Sequence, residues 1–401
     1  MMPWSRTSIV LSAVGLCACG ADPTTAPDSG GETPFTSVSA GGDHSCALDE
    51  LGTAFCWGSN AHAQVGSSIA DPVAQSTPVA SAGSMRFGAL EAGGRHTCGL
   101  THEGAAFCWG DDRSGQLGGG TRSPTGSSSS PVAVVGGLSF SRLSLGGGHT
   151  CALDQDGRAY CWGLNRFGQL GDGSTESTAE PVPVAGSLRF SSLDAGAVHT
   201  CGLTELGDAH CWGYNKWSQL GNNASDEMCG VSRCGTRPVL IAGIPTLASL
   251  NAGGLQSCGL TADGTAYCWG ANLAGELGNA AVSELHSPTP VEVETTIGFG
   301  AVTGGEHSEC AIDSGGAAYC WGSNSHGQLG DGRLGTGGPT PVRVLTDRRF
   351  VGVSAGMFHN CGTTRLGSIL CWGGNRAGQL GTGTTAPSAS PTLVVWPVPG
   401  P

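Results

Sequence analysis

The sequence is poor in charge and in lysine, and these shortages exclude some classes of protein. Only 12% of its 401 residues are charged, and Lys216 is the only lysine. The formal net charge is −13 and the few basic residues are scattered, whereas a nucleic-acid-binding protein needs a basic stripe that neutralises phosphates. We therefore expect no nucleic-acid partner and no charge-driven binding to anionic lipid.

The sequence also lacks helical periodicity and any apolar run long enough to span a bilayer, since the run from Ser8 to Leu16 is too short and no later segment approaches that length. It is rich instead in glycine, with 70 residues, and in cysteine, with 18. Many glycines with few charges predict short strands and tight turns, and hence an all-β fold. A chain of this length exceeds one ordinary core, but a repeat protein escapes that limit because each unit packs only on its neighbours.

The N-terminal residues have the pattern of an export signal. Arg6 precedes a short apolar run that ends in "LCAC", Leu16 to Cys19. This segment resembles the lipobox of bacterial lipoproteins, which implies a signal peptide at 1–18 and lipid attachment to Cys19. An ordinary secretory signal cut nearby is the alternative. Residues 19–34 are predicted to form a flexible tether, and residues 35–401 the folded domain.

A Trp-Gly pair recurs seven times, at separations of 52, 53, 50, 57, 52 and 51 residues, and a period near 50 is typical of propellers and solenoids. Before each pair, two cysteines are separated by nine residues, with a glycine six positions after the first. This spacing predicts a hairpin whose turn ends in a left-handed glycine, so that the two cysteines lie opposite each other within disulfide range.

We therefore predict one disulfide in each repeat and one more in an inserted loop of the fourth repeat. Zinc binding is the competing interpretation, but structural zinc sites favour cysteines two to four residues apart. With Cys17 removed and Cys19 lipidated, the remaining cysteines are all used. The predicted pairs are Cys46–Cys56, Cys98–Cys108, Cys151–Cys161, Cys201–Cys211, Cys229–Cys234, Cys258–Cys268, Cys310–Cys320 and Cys361–Cys371.

Each repeat is predicted to form a four-stranded blade that buries its tryptophan against adjacent blades. In the second repeat, the predicted strands lie near 78–82, 87–92, 96–101 and 105–109, so that a Pro-Val strand precedes the cysteine hairpin. No such strand precedes the first hairpin, and one follows the last repeat, from Pro391. We therefore expect the C-terminal strand to complete the first blade and close the ring.

The segment "AGGRHTCGLTHEGAAFCWGDDRSGQLG" and its copies resemble the repeats of the regulator-of-chromosome-condensation family. The resemblance covers about residues 35–401 and implies a seven-bladed β-propeller. Founding members of that family are guanine-nucleotide exchange factors in the nucleus, and secreted bacterial members include enzyme inhibitors. Fold does not carry function, and no segment here matches an exchange wedge.

No catalytic set is evident in the sequence, so we assign no catalytic residue, no metal ligand and no cofactor. Histidine recurs two positions before the first cysteine of five repeats, and each copy lies in a different blade. We interpret these histidines as buried side chains bonded to backbone rather than as a metal site; they are His44, His96, His149, His199 and His359.

The loop after each Trp-Gly pair carries the candidate binding residues, because its flanks repeat while two central positions vary. Equivalent positions in a ring lie on one face, so the third and fourth repeats place cations and aromatics together, as protein-binding hot spots do. A solvated loop without a partner is the alternative. The candidates are Arg166, Phe167, Lys216, Trp217, Arg113 and Arg376.

These observations lead to a functional expectation. We expect a monomeric, non-catalytic binding propeller, exported as an outer-membrane or surface lipoprotein, or else secreted. Its ligand is expected to be a protein or glycan, and its only membrane contact the lipid on Cys19. A secreted enzyme or enzyme inhibitor that uses the propeller face is the alternative. A further alternative, suggested by the family resemblance alone, is a guanine-nucleotide exchange factor.

Overall fold

The computed structural model describes residues 34–67, 73–222 and 227–396. The predicted signal peptide, Cys19 and all but the last residue of the predicted tether lie outside these ranges, so those predictions stay predictions. Among the residues described, no helix combines the length and apolarity needed to cross a bilayer.

Seven antiparallel sheets, each built from consecutive strands, form the blades of a propeller. The strands of the first four blades are β1–β4 (Phe35–Ala40, His44–Asp49, Ala54–Ser59, Ala74–Ala80), β5–β8 (Ala89–Ala92, His96–Leu100, Ala106–Asp111, Ser127–Ala133), β9–β12 (Phe140–Leu145, His149–Asp154, Ala159–Gly163, Thr178–Pro183) and β13–β17 (Phe190–Ala195, His199–Thr204, Ala209–Tyr214, Met228–Cys229, Ser232–Leu240). The strands of the last three are β18–β21 (Leu247–Ala252, Gln256–Thr261, Ala266–Ala271, His286–Glu292), β22–β25 (Phe299–Gly304, Ser308–Asp313, Ala318–Gly322, Gly338–Arg343) and β26–β29 (Phe350–Ala355, His359–Thr364, Ile369–Gly373, Ser388–Leu393). The predicted all-β propeller of four-stranded blades is confirmed, with one short extra strand, β16, in the fourth blade.

The cysteine hairpins form as their spacing predicts. In the third blade Cys151 lies directly opposite Cys161, and Gly157 in the turn has a φ of +75°. A side chain at Gly157 would also meet the Phe190 carbonyl oxygen of the next blade, so glycine is needed both for conformation and for space. All eight predicted disulfides are present, with Cα atoms 4.1 Å apart in the hairpins and 5.8 Å apart at Cys229–Cys234.

The predicted grouping of strands and the predicted closure of the ring are wrong. The Pro-Val strand returns to its own hairpin, so that β4 pairs with β3 in the first blade and β29 pairs with β28 in the seventh. The C-terminal strand therefore completes the last blade, and every blade is continuous in sequence. The loop between the third and fourth strands, residues 164–177 in the third blade, is long enough to fold the chain back antiparallel onto its own hairpin, and residues 184–189 then lead to the next blade.

The ring closes instead through side chains and through the contact of β1 with the seventh blade. Trp396, just beyond β29, stacks on Phe35 of β1 with ring centroids 3.9 Å apart. The Phe35 amide donates a hydrogen bond to the Gly367 carbonyl oxygen. The C-terminal segment thus holds the first and last blades together by aromatic packing rather than by strand pairing.

The tryptophans of the Trp-Gly pairs are fully buried at the seams between blades, as predicted. Each indole N–H donates to a backbone carbonyl of the preceding blade: Trp162, for example, donates to the Gln116 carbonyl oxygen at 3.0 Å. The seven tryptophans are Trp57, Trp109, Trp162, Trp212, Trp269, Trp321 and Trp372, and all seven make the equivalent bond.

The buried histidines contact the next blade, but their partner is a side-chain hydroxyl and not backbone as predicted. His96 Nε2 lies 2.9 Å from Thr150 Oγ1, and the Thr150 hydroxyl donates to the Gln116 carbonyl. Because this hydroxyl already donates to the carbonyl, it accepts a hydrogen bond from Nε2–H, which places the proton of the neutral imidazole on Nε2. Burial lowers the pKa of His96 to about 3.

Five seams share this pattern of histidine, hydroxyl and carbonyl, which we call the histidine latch. The histidine–hydroxyl pairs are His44–Thr97, His96–Thr150, His149–Thr200, His199–Ser257 and His359–Ser45.

The seam between the fifth and sixth blades replaces the latch with an amide and a carboxyl group. Gln256 occupies the histidine position and donates to Glu309 Oε1 at 2.9 Å. Glu309 is fully buried, and its Oε2 has no hydrogen-bond partner among the described residues. Burial raises the pKa of Glu309 well above its ordinary value. At the same seam, Glu276 replaces the usual glutamine and lies 3.4 Å from His307 Nδ1.

Candidate binding surface on the loop face

The connections between the third and fourth strands of every blade lie at one end of the ring, which we call the loop face. The turns between the first and second strands reach the same end, because antiparallel strands alternate in direction. These inner turns surround a central cavity of about 110 Å³ that is lined mainly by glycine and alanine. A Cβ at Gly146 would collide with the Gly196 carbonyl oxygen of the next blade, so the blades can approach this closely only with glycine there.

Side chains of the repeated loop motif hold the variable positions in place. In the third blade, Asn165 Oδ1 accepts a hydrogen bond from the Leu170 amide, and Gln169 Oε1 accepts one from the Phe167 amide, both at 2.9 Å. Asn215 and Gln219 make the same bonds in the fourth blade. The repeated asparagine and glutamine therefore set the backbone conformation of the loop, and the two variable side chains between them are held on a fixed backbone.

The first of the candidate pairs is Arg166 and Phe167. The Phe167 ring packs on Tyr214 of the next blade, with centroids 4.6 Å apart, and is only partly buried. The Arg166 guanidinium lies 4.7 Å from the Phe167 centroid, within the range of a cation–π interaction. The arginine is exposed. The cation is thus held in place by an aromatic ring and stays open to solvent.

The second pair, Lys216 and Trp217, repeats this arrangement one blade further on. The Lys216 ammonium lies 5.5 Å from the Trp217 ring, which in turn lies 6.3 Å from His286 of the fifth blade. Ser218, which follows, has a φ of +64° where most repeats have glycine, a conformation that is uncommon for a side-chain-bearing residue. Together the two pairs and their aromatic neighbours form what we call the aromatic patch: Arg166, Phe167, Tyr214, Lys216, Trp217 and His286.

The structure separates the other two candidates from this patch. Arg113 is bound by Asp111, whose two carboxylate oxygens accept hydrogen bonds from Nε at 2.8 Å and from Nη2 at 2.7 Å. Its charge is therefore already balanced. Arg376 belongs to the seventh blade. Within the described residues, no carboxylate lies in ion-pair range of Arg166, Lys216 or Arg376.

The inserted loop of the fourth blade forms a braced hairpin beside the patch, which we call the finger (residues 227–236). Its strands β16 and β17 are linked by the Cys229–Cys234 disulfide, and both carboxylate oxygens of Glu227 accept hydrogen bonds from Thr236. Val231 at the tip is 96% exposed and Met228 is 55% exposed. The sequence indicated the insertion and its disulfide, but nothing in it showed that an apolar side chain stands at the tip.

The finger is continuous with the aromatic patch. The Asn215 amide, next to Lys216, donates to the Arg233 carbonyl oxygen at 2.8 Å. On the other side, a Cβ at Gly168 would lie 2.7 Å from Thr236 Cα, so the loop of the third blade packs directly on the base of the finger. Residues of the third, fourth and fifth blades thereby form one surface.

Carboxyl groups with shifted pKa values lie elsewhere, around the central channel. Burial raises the pKa values of Glu91 and Asp194 to about 7, and both belong to innermost strands, where Asp194 Oδ1 accepts a hydrogen bond from the Ala252 amide of the next blade. Burial also raises the pKa of Glu306 at the cavity. Across residues 34–67, 73–222 and 227–396, no three His, Cys, Asp or Glu side chains converge as metal ligands would.

The fold and its repeated seams define a seven-bladed propeller of the RCC1 type. The sequence matches the RCC1-like domain over residues 17–301 and the regulator of chromosome condensation (RCC1) repeat over residues 315–362 and 367–399. The chain therefore belongs to the regulator-of-chromosome-condensation family.

Relatives within the family differ in length and in kind. The chain is 28% identical over 364 residues to the ultraviolet-B receptor UVR8 of Arabidopsis thaliana, covering 90% of this chain and 70% of the receptor. It is 28% identical over 307 residues to the E3 ubiquitin-protein ligase HERC2 of Homo sapiens, covering 76% of this chain but only 5% of the ligase. The chain thus spans a small part of that second relative.

Solved structures agree on the fold. Human WBSCR16 superposes with a TM-score of 0.75 at 20% identity, covering 83% of this chain and 88% of that one. Prp20p of Saccharomyces cerevisiae superposes with a TM-score of 0.69 at 23% identity, covering 80% of each chain. At such identities the likeness concerns the fold alone.

Proposed function

We propose that this chain is a non-catalytic binding propeller that recognises another protein through the aromatic patch and the finger. The observation that carries the proposal is that two partly buried aromatic rings, each with a cation that has no ion-pair partner among the described residues, occupy equivalent positions in neighbouring blades. Aromatic and cationic side chains on a rigid backbone are the residue types that dominate protein interfaces.

The shape of the surface favours a macromolecular partner. The central cavity of about 110 Å³ is smaller than a usual ligand pocket, and its lining offers few side chains. The loop face, by contrast, carries exposed apolar residues around the patch, including Val231 and Leu285, the latter 59% exposed. A contiguous apolar area rimmed by charges is typical of a protein-binding surface.

We further propose that the protein acts outside the cytoplasm. The lipobox-like "LCAC" sequence supports export and lipid attachment at Cys19, on an outer membrane or cell surface. The eight disulfides are compatible with this location, because such bonds persist in oxidising compartments. Release as a secreted protein is the alternative.

The double variant Phe167→Ala/Trp217→Ala tests the proposed function. The purified lipid-free protein would be used to isolate partners from envelope extract, and the main partner would then be produced separately and its affinity measured. We expect the double variant to bind that partner at least about tenfold more weakly, as loss of hot-spot aromatics does.

A matched control is available on the same face. His326 packs on Phe358 with ring centroids 5.0 Å apart, in the same loop position of the sixth blade. His326→Ala removes a comparable ring outside the patch and should leave the affinity within about twofold. Equal binding by the wild type and the double variant would place the interface elsewhere and refute the proposal.

A further inference from the structure

The chemistry of the partner can be inferred from the charges of the aromatic patch, and this inference rests on the function proposed above. The chain has 18 basic and 31 acidic residues, so a positive charge is seldom far from a carboxylate. Arg166 and Lys216 nevertheless have no carboxylate in ion-pair range among the described residues, whereas Arg113, at the same loop position of the second blade, is bound by Asp111. The patch therefore keeps two positive charges available.

The aromatic rings hold these charges in fixed places. Arg166 lies over Phe167 and Lys216 over Trp217, and the backbone beneath each pair is fixed by asparagine and glutamine side chains. A cation that is already positioned loses less conformational entropy when it binds. Two positioned cations one blade apart are complementary to carboxylates on one partner.

The side chains of the aromatic patch and of the finger differ in how far they are exposed to solvent. Phe167 and Trp217 are partly buried, whereas Val231 at the tip of the finger is 96% exposed. The tip of the finger is therefore open to solvent next to the partly buried rings, and the disulfide links the two strands of the finger. A polypeptide segment bound on the aromatic patch would contact these rings and the apolar side chains of the finger.

We propose that the partner presents an acidic polypeptide segment, with apolar side chains between its carboxylates, that lies on the aromatic patch against the finger. The carboxylates pair with Arg166 and Lys216, and the apolar side chains contact Trp217, Met228 and Val231. A nucleic acid or an anionic bilayer does not fit, because a protein with a net charge of −13 and two free cations at the site repels an extended polyanion.

A phage-displayed library of random peptides tests this chemistry directly with the mature chain as bait. The wild type is expected to select peptides that combine Asp or Glu with aliphatic or aromatic residues. Synthetic copies should bind the variant Arg166→Glu/Lys216→Glu at least roughly tenfold more weakly, and the wild-type affinity should fall as salt is added. Selection of peptides without acidic enrichment would overturn the proposal.

Arg376→Glu is the control, since Arg376 is a cation at the same loop position, three blades away, without an ion-pair partner among the described residues. The Arg376→Glu variant should bind the peptides with an affinity within about twofold of the wild type, because the substitution also replaces a positive charge by a negative one but at a residue outside the patch. An equal loss with Arg376→Glu would show that only the overall charge matters, which contradicts the proposal. Arg166→Lys/Lys216→Arg should retain binding, and its failure would also contradict it.

Two further outcomes separate this inference from the proposed function. If neutral peptides bind and lose affinity in Phe167→Ala/Trp217→Ala, the surface binds protein but the acidic segment is wrong. If the wild type binds phosphatidylglycerol vesicles and Val231→Asp abolishes that binding, the finger is a membrane contact and both proposals fail.

Discussion

Six of the seven seams fall into two kinds, which differ at the histidine position and at the hydroxyl position. The seam between the sixth and seventh blades has a third arrangement, in which Asn360 Nδ2 donates to the Gln328 carbonyl oxygen at 2.7 Å. At five seams a histidine of one blade binds a hydroxyl of the next, and that hydroxyl donates to the carbonyl that also receives a tryptophan N–H. At the seam between the fifth and sixth blades, Glu309 stands where the hydroxyl would be. The comparison shows that the carbonyl keeps the tryptophan N–H at both kinds of seam but does not need a second donor, because Glu309 Oε2 has no hydrogen-bond partner among the described residues. Burial without a cation nearby favours the neutral, protonated form of this glutamate.

The two kinds of seam respond to pH in opposite directions. Burial lowers the pKa of the latch histidines, to about 4 for His44 and about 3 for His359. Their contribution to stability is therefore present above pH 6.5, the ordinary value, and is lost as the pH falls towards 3. For Glu309 burial raises the pKa, so its contribution is present below the ordinary value of 4.5 and is lost as the pH rises through the folded value.

The largest expected effect comes from the element that both kinds of seam share. Trp162→Ala removes a fully buried ring and its hydrogen bond, and should lower the free energy of unfolding by about 3–5 kcal/mol. Trp321→Ala, at the carboxyl-containing seam, should cost a similar amount because its ring is equally buried and bonds the Glu276 carbonyl. Urea denaturation with disulfides intact measures both.

Trp217→Ala is the control for this pair, since its ring belongs to the loop face and is only partly buried. We expect Trp217→Ala to lower the free energy of unfolding by roughly 1 kcal/mol or less, because a partly exposed ring loses less buried contact than a seam tryptophan does. If Trp217→Ala destabilised the ring as much as Trp162→Ala, the distinction between seam and loop-face tryptophans would be lost.

The second effect isolates Glu309. Glu309→Gln keeps this side chain neutral at every pH, so the loss of stability that the wild type shows on going from pH 5 to pH 9 should become smaller, by about 1–3 kcal/mol. Thr150→Glu makes the reverse change at a histidine-latch seam and should introduce a new loss of stability at high pH. Parallel pH profiles for the wild type and Glu309→Gln would show that Glu309 does not titrate as described.

Much of this architecture could be predicted from the sequence, because a repeat displays its own internal spacing. The nine residues between cysteines gave the hairpin, and the glycine at 157 and its equivalents gave the turn. The spacing within one repeat does not show which strand or side chain of another element a given residue contacts. The return of β4 to its own hairpin and the choice of Thr150 as partner of His96 both depend on contacts between elements that the period alone does not assign.

For the candidate site, the sequence identified which residues come together but not their electrostatic state. Arg166, Phe167, Lys216 and Trp217 lie in equivalent loops of neighbouring blades, and their role in binding stays a prediction. Arg113 is neutralised by a neighbour two residues away, a contact that depends on the local backbone. The paired departures at Gln256 and Glu309, in consecutive repeats, were a visible signal that these two positions meet across a seam.

The smallest effect concerns a single latch. His96→Gln introduces the residue that Gln256 already provides at the fifth blade, so the side chain should fit and still donate to Thr150. We expect the free energy of unfolding at pH 7 to fall by roughly 1 kcal/mol, which is the contribution of one hydrogen bond, because the amide does not reproduce the geometry of the imidazole. Between pH 6.5 and 3 the variant should then lose less stability than the wild type, because one neutral buried histidine has been removed. Stability curves of the two proteins that stay parallel over this range would mean that His96 gains its proton without opening the seam, and the pH response of the ring would have to come from its other histidines.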